Sequence, residues 1–175
     1  RALPLVYGNA VAARIGIAAD KELKERVQGA IARVFDMQDS SGAFGSWGPG
    51  NTNLWLTSYV TDFLTRAREA GYEVRQLPFN LALDRLQNFA LNGEDFSEGG
   101  EERAYALYVL ARNGRAPIGE LRYYVDTRLD RFTTPLGKAQ LGAALAMVGD
   151  KERAETAFKA ALEAFTEQDK LRLAR

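Results

Sequence analysis

The residues that could do chemistry are concentrated in one segment of the chain, between two helical patterns. Both tryptophans and four of the 16 glycines lie there, in the run Gln38-Asp39-Ser40-Ser41-Gly42-Ala43-Phe44-Gly45-Ser46-Trp47-Gly48-Pro49-Gly50-Asn51-Thr52-Asn53-Leu54-Trp55. Glycine adopts backbone conformations that strain other residues, and an indole ring needs a packed pocket or a partner for its N–H. The segment is therefore either a rigid connector or the edge of a functional site.

Acidic residues are the other candidates for chemistry, and a structural role is preferred for each group. The first group could supply the paired carboxylates of a glycosidase but is typical of a solvated loop that caps a helix; it comprises Glu94, Asp95, Glu98, Glu101 and Glu102. Asp126 and Asp130 resemble an aspartate metal motif, yet their i, i+4 spacing fits an exposed helix face. The glycines of the loop lack the lysine of a phosphate-binding loop.

Composition removes several classes of function. The chain has 175 residues, 23 basic and 23 acidic side chains and no net charge, so neither nucleic acid nor an anionic membrane is an expected partner. It has no cysteine and no histidine, which excludes disulfides, Cys or His metal sites and imidazole-based triads within it. We predict no metal, no cofactor and no membrane insertion of this segment.

The pattern of helix signals predicts an all-α fold with about eight helices and no strand. Prolines stand where helices would begin and glycines follow apolar periodic segments, at Pro4, Pro78, Pro117 and Pro135, and at Gly16, Gly71, Gly93, Gly114 and Gly149. After Asp20 as N-cap, one apolar stripe is predicted, formed by Leu23, Val27, Ala30, Ile31, Val34 and Phe35. Residues 54–70 carry apolar side chains around most of the circumference, which predicts a mostly buried helix.

Amphipathic and apolar helices alternate along the chain, and this alternation is what an α/α toroid requires, with one ring of helices enclosed by another. An open solenoid of the tetratricopeptide type would repeat at about 34 residues. Only the hairpin of Asp150 to Phe165 resembles that class. The pattern Gln38, Gly42, Phe44, Trp47 is similar to the Gln and Trp repeats that staple helices in toroidal folds, so we predict a structural staple at Gln38, Gly42 and Phe44.

Three stretches resemble the thioester domain of bacterial alpha-2-macroglobulins: Arg1-Ala2-Leu3-Pro4-Leu5, the loop from Gln38 to Trp47, and Gly50-Asn51-Thr52-Asn53-Leu54-Trp55-Leu56-Thr57-Ser58-Tyr59-Val60. In that family the domain is an α/α toroid within a periplasmic, lipid-anchored protein that traps proteases. A Cys-x-Glu-Gln motif there carries an internal thioester. The stretch that resembles residues 1–5 follows this motif by a few residues.

The resemblance implies that residues 1–175 form a single domain, an incomplete thioester-domain toroid whose reactive bond lies before Arg1. It implies a noncatalytic chain within a protease inhibitor, with proteases and the other parent domains as partners. Trp47, Asn51, Asn53 and Trp55 would lie near the thioester and shield it from water. Open apolar helix faces predict a homodimer, a strand-like reordering of the ends, or low stability for the isolated piece. The alternatives are a helical-repeat interaction module without covalent chemistry and, less favoured, a toroidal enzyme of sugar or terpenoid chemistry.

Overall fold

A computed structural model describes residues 3–14, 21–50, 52–92 and 99–173, and within these ranges the chain is all-α, as the sequence predicts. A 3-10 helix spans Leu3–Tyr7 and another spans Leu129–Arg131. The α-helices are α1 (Gly8–Arg14), α2 (Lys21–Phe35), α3 (Leu54–Glu69), α4 (Gln76–Asn92), α5 (Glu101–Arg112), α6 (Ile118–Thr127), α7 (Pro135–Met147) and α8 (Lys151–Leu173). Extended pairing in the described part is limited to isolated bridges such as Gln38 with Phe44.

The chain divides into two compact units, Arg1–Ala82 and Leu83–Arg175. In the first unit the 3-10 helix Leu3–Tyr7 packs against α2 and α3. The amphipathic stripe predicted for α2 is present, because Val27, Ile31 and Phe35 are buried while Lys24 and Arg33 are exposed.

The buried face of α3 differs in part from the sequence expectation, because it combines apolar with polar side chains. Phe63 and Leu64 are buried as the sequence predicts. Most of the apolar residues expected inside, such as Trp55 and Tyr59, are exposed or half-buried, whereas these hydroxyl and carboxyl side chains are buried: Thr57, Ser58, Thr61, Asp62 and Thr65. The buried threonine hydroxyls have hydrogen-bond partners within the helix, since Thr61 and Thr65 each donate a 2.7 Å bond to the carbonyl four residues earlier. A hydropathy pattern cannot anticipate this, because it assigns buried positions by apolar character.

In the second unit α7 packs against α5, α6 and α8. Its core contains the fully buried Leu107, Leu121, Leu141 and Phe132. The core of this unit also contains a buried cation. The Arg103 guanidinium lies 4.6 Å from the centre of the Phe89 ring, and its Nη1 donates a 2.7 Å bond to the Tyr124 hydroxyl.

Helix ends follow the sequence signals where the structure describes them. Pro135 begins α7, and the Thr134 hydroxyl caps it by accepting from the N–H of Gly137 at 3.1 Å. Gly149, at φ 84°, follows the end of α7 and allows the reversal into α8. Gly16 and Gly93 lie outside the described residues, as do Glu94, Asp95 and Glu98. No helix in the described part of the chain is long and apolar enough to cross a membrane.

Ion pairs connect α8 to α6 across the surface. Arg153 Nε lies 2.8 Å from Asp126 Oδ1, and Asp150, in the turn before α8, accepts a 2.8 Å bond from Arg122 Nε. Asp126, considered above as a metal ligand, is thus engaged by an arginine. The pKa of Asp150 lies below its ordinary value, chiefly because of the Arg122 hydrogen bond; the positive charge of Arg153 adds to the shift and partial desolvation opposes it.

This shift predicts an acid-dependent contribution to stability. Because the folded pKa of Asp150 is lowered, its stabilisation is present above the unfolded-state pKa of about 3.9. It is lost as the pH falls through the folded value. Replacing Arg122 by Ala should raise the pKa of Asp150 towards the ordinary value, measured by NMR titration of the carboxyl carbon. Lys159→Ala, on an exposed position of α8, is the control. An unchanged Asp150 pKa in Arg122→Ala would contradict the assignment.

Candidate functional site in the loop between α2 and α3

The first half of the loop is fastened to the beginning of α4 through Gln38. Its amide Nε2 donates to the carbonyl of Gly42 at 3.0 Å and to the carbonyl of Pro78 at 2.8 Å. Asp39 stabilises the turn that follows Gln38, since its Oδ1 accepts from the backbone N–H of Ser41 at 2.8 Å and from that of Ala43 at 3.2 Å. A partly buried amide that bridges two carbonyls holds a loop and a helix at fixed separation.

Gly42 brings the loop backbone against α4 more closely than a side chain would allow. Its φ is 87°, and a Cβ at this position would overlap the carbonyl of Leu81. Both the backbone conformation and the contact therefore require glycine. These contacts of Gln38 and Gly42 are of the kind that a structural staple between the loop and α4 requires. The staple stays a prediction, which the Gly42→Ala variant described below tests.

The loop also bonds to the first turn of α3, through the backbone of Phe44. The backbone N–H of Phe44 donates to Thr57 Oγ1 at 3.1 Å, and that hydroxyl donates to the carbonyl of Asn53 at 3.0 Å. Asn53 Oδ1 caps α3 by accepting from the N–H of Leu56 at 2.9 Å. Phe44 is 1% exposed and its ring lies 6.5 Å from that of Phe35. Asn53 thus has a structural function as the N-cap of α3, and its position directly before the helix is a signal from which sequence rules could predict it.

The two tryptophans occupy different environments. Trp47 is 94% exposed, and Trp55 is 46% exposed and stacked on Tyr59, with ring centres 5.4 Å apart and planes within 6°. Asn51 lies outside the described residues. An almost fully exposed indole adds no packing to this unit, so Trp47 is available to a partner.

A cavity of about 240 Å³ lies beside the base of this loop. It is mostly apolar and is lined by Val34, Met37, Phe44, Gly45, Ser46, Leu56 and Val60. No ionisable side chain lines it. Within the described residues, no group of three or more acidic, His or Cys side chains could hold a metal ion. The loop and its cavity are suited to contact and to exclude water rather than to transfer protons.

The opposite end of α3 lies near the N-terminal 3-10 helix. Val6 and Tyr7 line a cavity of about 440 Å³ together with Glu69, the last residue of α3, and with Gly71 and Tyr72 just after it. Asn53 stands at the other end, one helix length of about 24 Å away for 16 residues. Asn53 and these N-terminal residues are therefore not neighbours.

Sequence reasoning missed the residues that hold the loop from beneath, above all Thr57 and Asp39. Thr57 follows the N-cap Asn53 by four residues, a spacing that places its hydroxyl over the Asn53 carbonyl. This spacing was a usable signal. No sequence signal indicates the bond that Thr57 Oγ1 accepts from the Phe44 N–H, because the two residues come together only in the folded chain.

Sequence comparison matches the chain to bacterial proteins, although no family model matches it. Alpha-2-macroglobulin of Escherichia coli strain K12 is 36% identical over 176 residues, covering 91% of this chain and 10% of that protein. Alpha-2-macroglobulin of Xylella fastidiosa strain Temecula1 is 36% identical over 146 residues, covering 78% of this chain and 9% of that protein. The chain spans about a tenth of the length of these relatives.

Solved structures agree with this match. Salmonella alpha-2-macroglobulin reacted with methylamine superposes with a TM-score of 0.82 at 34% identity, over 93% of this chain and 11% of that one. Native Escherichia coli alpha-2-macroglobulin, spanning domain MG7 to the C-terminus, gives a TM-score of 0.80 at 33% identity, over 93% of this chain and 27% of that one.

The close approach at Gly42 provides a stability test of the loop. Gly71 has a similar φ of 84° but open space around its Cα, so Gly71→Ala should lose only about 1 kcal/mol of unfolding free energy through backbone strain. Gly42→Ala adds overlap with the Leu81 carbonyl and should lose roughly 3 kcal/mol. Urea unfolding followed by circular dichroism measures both. Equal losses would mean that the loop does not depend on this contact.

Proposed function

Because this chain is homologous to part of the C-terminal region of bacterial alpha-2-macroglobulins, we propose that it belongs to a protease-trapping inhibitor of that kind. The observation that carries the proposal is 36% identity to the Escherichia coli protein across 91% of this chain. Within the parent protein, residues 1–175 would form part of the thioester domain, arranged as an α/α toroid. A periplasmic location and a lipid anchor of the parent complete the proposal.

The chain is proposed to support covalent chemistry that it does not perform. It has no cysteine, so the thioester of a Cys-x-Glu-Gln motif would lie before Arg1 in the parent polypeptide. An amine of the trapped protease attacks the thioester carbonyl carbon and forms an amide. The carbon–sulfur bond breaks, and the leaving thiolate takes up a proton as a free thiol. No group of this chain is required for a catalytic step.

The loop after α2 is the part of this chain proposed to lie near the thioester, through Trp47, Asn51, Asn53 and Trp55. Exposed indole surface supports this, because aromatic side chains exclude water from a reactive bond. The proposal has a geometric requirement. Since Val6 and Tyr7 lie at the far end of α3, the segment before them would have to run back about 24 Å, which takes about seven extended residues.

Methylamine tests the covalent mechanism in the full-length protein. A small amine should open the thioester and release one thiol per molecule, and the treated protein should no longer link covalently to trypsin. Free-thiol titration and denaturing gel electrophoresis measure the two effects. Absence of thiol release, together with retained noncovalent protease binding, would instead support the interaction module without covalent chemistry.

Trp47 tests the position of the loop. Because it is 94% exposed, Trp47→Ala should change the unfolding free energy of the parent by no more than about 0.5 kcal/mol. If the indole shields the thioester, thiol release by methylamine should become severalfold faster. Met147→Ala, which shortens another exposed apolar side chain on α7, should leave the rate unchanged. The same rate for Trp47→Ala and the unmodified protein would remove Trp47 from the site.

A further inference from the structure

The apolar cavity beside the loop is a feature that the proposed chemistry does not yet use. Its volume is about 240 Å³. The fully buried ring of Phe44 forms part of its wall. The aliphatic side chains that line it keep part of their surface exposed, because they are only half-buried: Val34, Leu56 and Val60. A hydrocarbon ligand would remove this surface from water, which is favourable in proportion to the area covered.

The volume of the cavity limits the size of the ligand. An apolar cavity of about 150 Å³ is large enough to bind benzene, whereas pockets for drug-sized ligands hold about 300–1,000 Å³. The cavity beside the loop, at about 240 Å³, lies between these two classes. It is therefore suited to one aromatic ring or to a short hydrocarbon chain.

The lining of the cavity determines the chemistry of the ligand. No ionisable side chain lines it, so a charged group drawn inside would lose its hydration without gaining a partner. A charged or strongly polar head group would therefore stay outside. Lysine side chains behave in this way on protein surfaces, where the methylene stem lies along apolar residues and the nitrogen stays in water. An unbranched hydrocarbon chain that ends in an amine meets both conditions.

The cavity adjoins both tryptophans that are proposed to lie near the thioester. Ser46 lines the cavity and directly precedes Trp47, and Leu56 lines it and directly follows Trp55. Adjacent Cα atoms are about 3.8 Å apart, so each tryptophan begins at the edge of the cavity. A hydrocarbon chain bound inside would hold its terminal amine beside this loop.

Two larger cavities of the first unit are less suited to a hydrocarbon chain. One is lined by Lys24 and Glu69 among others, and the other by Arg26 and Glu22 among others. These charged side chains keep their hydration only while the cavity stays open to water. The cavity beside the loop is therefore the one whose lining favours an apolar ligand.

We propose that this cavity binds the hydrocarbon chain of the attacking amine and thereby selects primary amines on an unbranched chain, the chemistry that a lysine side chain presents, over short or polar amines. This rests on the proposed function. The amine nitrogen forms an amide with the thioester carbonyl carbon, the carbon–sulfur bond breaks, and the proton lost by nitrogen passes to the thiolate. Binding in the cavity holds the nitrogen close to that carbon and changes no step of this reaction.

Thiol release by a series of amines tests the selectivity in the full-length parent. Hexylamine should react at least about tenfold faster than methylamine, with butylamine between them, because each added methylene buries more apolar surface. Diglycolamine matches hexylamine in length but contains two oxygens, so it should gain little over methylamine. Each rate constant is corrected for the fraction of amine that is present as the free base.

Val60→Phe tests whether the cavity is the origin of the selectivity. The larger side chain should occupy the space beside the loop and lower the ratio of the hexylamine rate to the methylamine rate towards one. A ratio within one variant is independent of the amount of folded protein. Ile118→Phe introduces the same ring at an exposed position of α6 and should keep the ratio of the unmodified parent.

Methyl NMR of the parent measures binding to the cavity without the thioester reaction. Met37 lines the cavity, whereas Met147 is an exposed side chain of α7. In a parent labelled at the methionine methyl groups, the two signals are assigned by their loss in Met37→Leu and in Met147→Leu. Benzene should shift the Met37 signal saturably, through the magnetic effect of its ring, and should leave the Met147 signal in place.

Two results would overturn the proposal. The first is a hexylamine-to-methylamine ratio near one in the unmodified parent, or the same raised ratio in Val60→Phe. The second is a Met37 signal that benzene does not shift. Methylamine distinguishes these from failure of the proposed function. Thiol release by methylamine without any gain for longer chains rejects the cavity site alone, whereas no thiol release by any amine rejects the covalent function and, with it, the selection of amines.

Discussion

The contact between the backbone of Gly42 and the carbonyl of Leu81 fixes the loop on which the candidate site depends. A Cβ on Gly42 would overlap the Leu81 carbonyl, so the loop and α4 lie in direct backbone contact at this point. The Gln38 amide then bridges the Gly42 and Pro78 carbonyls, which aligns the loop along the start of α4. The backbone N–H of Phe44 donates to the hydroxyl of Thr57, which connects the loop to the first turn of α3.

The polar interior of α3 has a related consequence. The inward hydroxyls of Thr61 and Thr65 bond to carbonyls of α3 itself. These buried hydroxyls therefore need no hydrogen-bond partner on a neighbouring element. The exception in the described part is Ser58, whose hydroxyl is buried without a hydrogen-bond partner. Of the apolar side chains of α3, Phe63, Leu64 and Ala67 are buried, whereas Leu56 and Val60 line the cavity beside the loop. This distribution suits a helix that supports a contact surface at its beginning.

The two exposed apolar regions differ in form. Around Trp47 the exposed surface is a single ring on a loop, which is suited to covering a small reactive group. In the second unit it is a stripe along one face of α8, formed by Phe158, Leu162 and Phe165.

The sequence by itself determined the helices, because proline, glycine and capping residues act through local backbone geometry: Pro135 and Thr134 begin α7, and Gly149 follows its end. It also determined the amphipathic face of α2 and located the loop. Only the tertiary structure decided which side chains of that loop are buried, since Phe44 and Trp47 are both aromatic, yet one is enclosed and the other is exposed. The buried hydroxyls of α3, the Phe44–Thr57 bond and the exposed stripe of α8 were likewise decided there. Burial depends on which elements meet, and residues distant in sequence supply those contacts.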